Sequence, residues 1–272
     1  MGVRHGMMCD DRSFCVLGSD DRSEWLRKLY KGEGKRMASV ENADIVIGPT
    51  PFSRDDVRVN GENLKCEELI KILSDSKKIL FAGSISKDLK VIFKDNNVNF
   101  FDLLDEKNVA ILNAIPTSEG AIKIAIDMTD FTIHGSNSLV LGYGKIGKVL
   151  SKMLHGLGAN VFCEARKKEE LAFIKAMGYN SINIDELDNY LNDMDIIFNT
   201  IPSMILDERR LQCLKKDCAI IDLASTPGGV DFVKAKELNL NTNWALALPS
   251  KVAPLTAAKY LKDTMDELLL KE

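Results

Sequence analysis

The run Leu139-Val140-Leu141-Gly142-Tyr143-Gly144-Lys145-Ile146-Gly147 constrains this chain more than any other feature. A short apolar strand enters a G-x-G-x-x-G loop, and a helical pattern leaves it from Lys145 to about Leu157. A second strand, Asn160 to Ala165, follows at the distance of a βαβ unit. Gly142 permits the tight turn, Gly144 lets backbone approach a pyrophosphate, and Gly147 lets helix and strand pack closely. A helix N-terminus adds amide donors and partial positive charge. Gly142, Tyr143, Gly144, Lys145, Ile146 and Gly147 are therefore expected to cradle a dinucleotide. The competing reading is a glycine-rich turn that binds nothing.

The rest of the chain repeats the same alternation of apolar runs and helical patterns, the mark of parallel sheets with crossover helices. Strands are expected at Ser13–Gly18, Ala43–Gly48, Lys78–Gly83, Val98–Leu103 and Val109–Asn113. A helix opens at Pro116 and runs to about Met128, with Thr117 or Ser118 as its N-cap and Glu119 in its first turn. Beyond the glycine loop, strands are expected at Asp195–Thr200, Ala219–Leu223 and Asn243–Leu248, and one amphipathic helix from Val252 ends the chain. With 272 residues there is room for two cores. The expected fold class is α/β with two open parallel-sheet domains. Residues 1–128 form the first, on which 252–272 pack back, and residues 129–251 form a Rossmann-type dinucleotide-binding domain. Ligands in such sheets lie at the carboxyl ends of strands.

Composition narrows the function. A net charge of −4 gives no global basic field for nucleic acid or an anionic membrane. No apolar run approaches the ~20 residues of a membrane span, and the first dozen residues lack the apolar core of a secretory signal. Cysteines at 9, 15, 66, 163, 213 and 218 form no CxxC pair. No metal site is expected, and a reducing, cytoplasmic setting fits best.

Cofactor choice is read after the second strand of the βαβ unit. An NAD enzyme places Asp or Glu there, whereas this chain has Ala165 followed by Arg166, Lys167 and Lys168. A guanidinium suits a 2′-phosphate, so Arg166 and Lys167 point to NADP. A register shift of one residue would instead make Glu164 an NAD marker. The turn Asn199-Thr200-Ile201-Pro202 is expected to border the nicotinamide, with the Thr200 hydroxyl and backbone groups fixing its amide, or simply to end a strand. Of three histidines, His5 lies in the lead-in and His155 on an exposed helix face. His134 alone is placed as an acid–base candidate, with a structural hinge histidine as the alternative. Asp222 is either a base or the anchor of its own turn. Three donor-rich turns follow strands and could cradle carboxylates: Ser84 with Ser86, Thr117-Ser118-Glu119, and Ser225 with Gly228 and Gly229.

Several ordered motifs carry a resemblance. They are Ile115-Pro116-Thr117-Ser118-Glu119-Gly120, Thr132-Ile133-His134-Gly135-Ser136, Asn199-Thr200-Ile201-Pro202-Ser203-Met204-Ile205-Leu206, Asp222-Leu223-Ala224-Ser225-Thr226-Pro227-Gly228-Gly229 and Val252-Ala253-Pro254. Together they resemble the dipicolinate synthase A-subunit family, densely over about residues 110–260 and loosely before, through Gly18-Ser19-Asp20-Asp21-Arg22 and Phe81-Ala82-Gly83-Ser84-Ile85-Ser86. The resemblance implies NADP-dependent oxidation of a dihydrodipicolinate-type dicarboxylate to dipicolinate, in the mother-cell cytoplasm of a sporulating bacterium. It also implies a flavoprotein-like partner, the dipicolinate synthase B-subunit. Self-association as a homo-oligomer is expected as well. The chain departs from the family at Ser250, where a glycine is usual, and across its N-terminal domain. Two other readings stand beside the enzyme: a nucleotide-binding partner protein with little activity alone, or another NADP-dependent dehydrogenase of a small carboxylic acid.

Overall fold

A computed structural model describes residues 11–74 and 77–271; His5 and Cys9 lie outside them. The chain divides after Ala110: the first unit runs to Ala110 and takes back the segment from Pro254, and the second is Ile111–Ala253.

In the first unit, in chain order, lie β1 (Ser13–Val16), α1 (Asp21–Gly32), β2 (Arg36–Met37), β3 (Ile45–Ile47), α2 (Cys66–Ser74), β4 (Ile79–Ala82), α3 (Lys87–Asp95) and β5 (Asn99–Asp102). The sheet order is β2-β1-β3-β4-β5, all parallel. Its central strands read as unbroken apolar runs because both faces are covered. Cys15, Val46 and Leu80 meet α2 and α3 through Leu69, Leu73, Leu89 and Phe93. Phe14, Ile45, Ile47 and Phe81 meet Leu26 and Tyr30 of α1 on the opposite face.

The second unit follows α4 (Lys107–Leu112) with α5 (Ala114–Met128), β6 (Asn137–Leu141), α6 (Lys145–Gly156), β7 (Asn160–Ala165), α7 (Lys168–Ala176), β8 (Asn180–Asn183), β9 (Ile196–Asn199), α8 (Glu208–Leu211), β10 (Ala219–Asp222), α9 (Phe232–Glu237), β11 (Asn241–Trp244) and α10 (Leu248–Val252). Its strands run β11-β10-β9-β6-β7-β8, all parallel. That is the doubly wound Rossmann order, with its switch point between β6 and β9. The last helix, α11 (Pro254–Leu269), returns to the first unit and buries Ala258, Leu261 and Met265 beside Tyr30. Burying Leu261 and Met265 contributes about 1.5–3 kcal/mol each. Lys262, 7% exposed, stays charged there by pairing with Asp266 (2.6 Å) and Glu33 (2.8 Å).

Four expectations are corrected. Residues 109–113 are helical in α4 rather than a strand: the run is too short for periodicity to decide, and β5 already closes the sheet edge. The division falls after Ala110, not after residue 128, because α5 packs on α6, α10 and β10 of the second unit. The strand expected at 243–248 is β11 at Asn241–Trp244; Ala247 turns left-handed (φ 59°) and starts α10. Lys107–Met128 is also long and apolar enough to cross a membrane by length and composition. Much of it is core: Pro116, Gly120, Ala121 and Ala125 are buried, and Gly120 sits against Leu248 and Val252.

Candidate functional site

The switch point brings the glycine loop and the end of β9 together. Gly142 takes φ 89°, where a side chain is strained, and a Cβ there would lie 2.7 Å from Thr200 Oγ1 and 2.8 Å from Ile201 Cγ1. A Cβ on Gly147 would overlap the Gly142 carbonyl oxygen, so this glycine is demanded by packing between helix and loop. Gly144 differs from both. It caps α6 at an ordinary φ of −79°, no side chain caps the helix, and a Cβ there would meet nothing within 4 Å. The first-turn amides of α6, from Lys145, Ile146 and Gly147, thus lie beside open space, as a phosphate cradle requires. Tyr143 supplies only backbone: its ring is 4% exposed in the core, and burial raises its hydroxyl to about 12.

Thr200 Oγ1 donates to the Leu141 carbonyl at 2.8 Å, so toward a ligand it can only accept. Pro202 is exposed beside it. Arg166 and Lys167 follow β7, exposed, with no ion pair among the described residues. Ala165 is buried in the core, while Glu164 turns to the loop.

Sequence reasoning gives Glu164 only an alternative role. Its residue exposure is 1%, Oε2 accepts from the Gly142 amide at 3.1 Å, and Oε1 has no partner. Burial pushes this carboxyl above the ordinary carboxylate range, against the lowering effect of that amide and of Arg166. A folded-state pKa raised above the unfolded value means stability falls as pH rises from the ordinary value through the folded one. Glu164→Gln therefore raises the denaturation midpoint of the ligand-free protein near neutral pH. The gain should close in acid, where Glu164 is neutral too. Equal midpoints at every pH would show that the buried charge costs nothing.

Asn199, which opens the turn expected at the nicotinamide, anchors that turn. It is fully buried at the end of β9, donates to Asp222 Oδ1 (2.8 Å) and the Ile201 carbonyl (3.0 Å), and accepts from the Ile201 amide (3.1 Å). Its signal is a polar residue closing the buried run Ile196-Ile197-Phe198, since buried amides must be bonded.

Several expected site residues have structural duties instead. His134 is exposed in the turn before β6, with Nδ1 3.3 Å from the Leu157 carbonyl, at the amino edge of the sheet. The length of β6, about 15 Å, separates it from Gly142, so it has no catalytic position there. Asp222 is fully buried; Oδ1 accepts from Asn199 and the Ala224 amide (3.0 Å), and Oδ2 from the Gly229 amide (2.8 Å). It anchors its own turn and leaves no free base. Gly229 N–H is thereby used, and Gly228 N–H donates to the Ser225 carbonyl; the Ser225 and Thr226 side chains remain exposed. The Ser84 and Ile85 amides already cradle a carboxylate, that of Asp102 (both 2.9 Å), and Ser86 caps α3. Thr117 and Ser118 do not cap α5 but lie inside it, donating to the Asn113 and Ala114 carbonyls, while Glu119 is exposed.

Residues 117–227 match the family model described as D-isomer specific 2-hydroxyacid dehydrogenase, NAD binding domain. Over 220 residues the chain is 40% identical to the dipicolinate synthase A-subunit of Bacillus subtilis (strain 168), spanning 81% of this chain and 72% of that protein. The chain belongs to the dipicolinate synthase A-subunit family. Solved structures of the family agree. The A-subunit structure from Bacillus halodurans superposes with a TM-score of 0.87 at 27% identity, covering 95% of this chain and 98% of that one. The one from Bacillus subtilis gives 0.86 at 31%, covering 96% of each. Like the family's dinucleotide-binding half, this chain is an NAD(P)-dependent oxidoreductase.

Proposed function

We propose that this chain oxidises a dihydrodipicolinate-type dicarboxylate to pyridine-2,6-dicarboxylate with NADP, in the mother-cell cytoplasm of a sporulating bacterium, beside a flavoprotein-like B-subunit. The observation that carries the reading is the open first turn of α6 at Gly144, a phosphate cradle in a chain 40% identical to a dipicolinate synthase A-subunit. Bound there, a nicotinamide dinucleotide would supply the hydride acceptor for the dihydropyridine ring, whose aromatisation would release one further proton to solvent. The chain's own residues bind and orient. The amides of Lys145, Ile146 and Gly147 would hold the pyrophosphate, Arg166 and Lys167 the 2′-phosphate, and Thr200, Ile201 and Pro202 would flank the nicotinamide end. Ser84 in the first unit keeps an exposed hydroxyl that can serve a carboxylate there; Ser225 in the second unit keeps its own.

Arg166→Ala should raise Kd for NADP by roughly 10- to 100-fold, the worth of a charge-assisted phosphate contact, and change Kd for NAD little. Isothermal titration of both cofactors reads this directly. Equal losses would return Glu164, whose Oε1 is unpaired, to the role of an NAD ribose acceptor.

One observation favours a second reading, a nucleotide-binding protein with little activity alone: neither His134 nor Asp222 is a free base at the carboxyl edge. The separating experiment assays the purified chain with NADP and freshly generated dihydrodipicolinate, with and without the B-subunit. Turnover by the chain alone supports the enzyme. Turnover only in the mixture, unaffected by Gly144→Val, supports the second reading.

A further inference from the structure

Arg22 is a feature of the first unit that the proposed function leaves unexplained. It stands near the start of α1, in the turn Gly18-Ser19-Asp20-Asp21-Arg22 at the carboxyl end of β1, and is 6% exposed. Its Nη2 donates to the Thr50 carbonyl at 2.8 Å and to Asp20 Oδ2 at 3.3 Å. The second distance is long for a charge-assisted bond, whose usual span is about 2.7–2.9 Å. Asp20 is itself committed to the helix cap, where Oδ1 accepts from the Ser23 amide (2.9 Å) and hydroxyl (2.6 Å). Among the described residues, Nε and Nη1 find no hydrogen-bond partner. Three of the guanidinium's five N–H groups therefore have none. Neither atom is fully sealed from solvent. Burial also lowers the Arg22 pKa, the cost of holding a charge with so loose a partner.

The surroundings suit an anion. The turns after β1, β3 and β4 converge on this edge: Thr50 follows β3, and its side chain lies so close to Gly83 that a Cβ there would overlap Thr50 Oγ1. The Phe52 amide fastens the two turns by donating to the Gly83 carbonyl at 2.8 Å. Neither the Thr50 nor the Ser84 hydroxyl makes a hydrogen bond among the described residues, and Ser84 is held at φ 55° by the grip of Asp102 on its amide. Glu62 Oε1 accepts from the Gly18 amide at 2.6 Å, and no ion pair joins Glu62 to Arg22 among the described residues.

We infer that Arg22 anchors a carboxylate of the small dicarboxylate substrate, in a site built within the first unit by the turns after β1, β3 and β4. This rests on the proposed function for the identity of the dicarboxylate, and on the first unit's own geometry for the site. A planar, always charged guanidinium matches a carboxylate with two parallel N–H bonds. Its partial pairing with Asp20 and Thr50 fixes its orientation before ligand arrives.

The test is a preference, which a merely structural arginine would not set. Wild-type chain, Arg22→Gln and Arg22→Lys are titrated with pyridine-2,6-dicarboxylate, with the isosteric but uncharged pyridine-2,6-dicarboxamide, with glutarate and with NADP. Wild type should prefer the dicarboxylate to the diamide. Arg22→Gln should shrink that preference by roughly 10- to 100-fold, the worth of a charged hydrogen-bond pair, with NADP binding unchanged. Arg22→Lys, which keeps the charge and the fold, should fall between. Parallel losses for dicarboxylate and diamide, or an unchanged preference in both variants, overturn the Arg22 site and leave the functional reading standing. Arg22-dependent binding of glutarate without binding of pyridine-2,6-dicarboxylate keeps the site and overturns the functional reading. A wild-type chain that binds neither overturns both.

Discussion

Gly144→Val should abolish dinucleotide binding and leave the fold intact. The new side chain occupies the space in front of the α6 amides, where no protein atom lies within 4 Å, at a φ of −79° that valine tolerates. Loss of the amide–phosphate bonds weakens NADP by roughly 100-fold or more. Replacing glycine, a favoured N-cap, by valine, a poor one, costs about 1 kcal/mol. Calorimetry of binding and of unfolding on the same sample checks both halves. Undiminished NADP affinity would refute the loop assignment. Gly147 makes the contrast instructive, since a Cβ there overlaps the Gly142 carbonyl oxygen and damages the protein before any ligand is involved.

Asp222→Ala should be the most destabilising substitution in the second unit that leaves its apolar core untouched. It removes the acceptor for Asn199 Nδ2 and for the Ala224 and Gly229 amides, all buried, and frees the turn that follows β10. The expected cost is about 3 kcal/mol or more, since each stranded buried donor costs on the order of 1 kcal/mol or above. Asp222→Asn, which keeps one acceptor, should recover part of it. The denaturant midpoint measures this. If Asp222→Ala kept the wild-type midpoint while kcat collapsed, Asp222 would be a base and not an anchor.

Much of the fold is legible because doubly covered parallel strands write themselves as apolar runs closed by Gly or Pro, as at Ile45-Val46-Ile47-Gly48-Pro49 and Leu139-Val140-Leu141-Gly142. Where that rule weakens, sequence misleads. Val109-Ala110-Ile111-Leu112 is apolar but helical, and β8, Asn-Ser-Ile-Asn at a sheet edge, buries only Ile182 and leaves no apolar run to see. The glycine loop is legible because its residues act through backbone at fixed spacing. The carboxylate cradles are not. Sequence shows which turns are rich in donors, but not that Asp102 and Asp222, brought there by folding, already satisfy them. His134 carries a readable sign against catalysis: a turn preceding β6 lies at the sheet's amino edge, away from the ligand edge. Glu164 and Arg22 depend on burial and on unpaired atoms, which only the folded chain displays.

Transfer of a ring hydrogen tests the central claim most directly. Dihydrodipicolinate carrying deuterium at its saturated ring positions is incubated with the purified chain and NADP, and the reduced cofactor is examined by mass spectrometry. The account predicts deuterated NADPH, formed one for one with pyridine-2,6-dicarboxylate and lost in Gly144→Val. Pyridine-2,6-dicarboxylate formed with no deuterium in the cofactor, at a rate that Gly144→Val leaves unchanged, would contradict it.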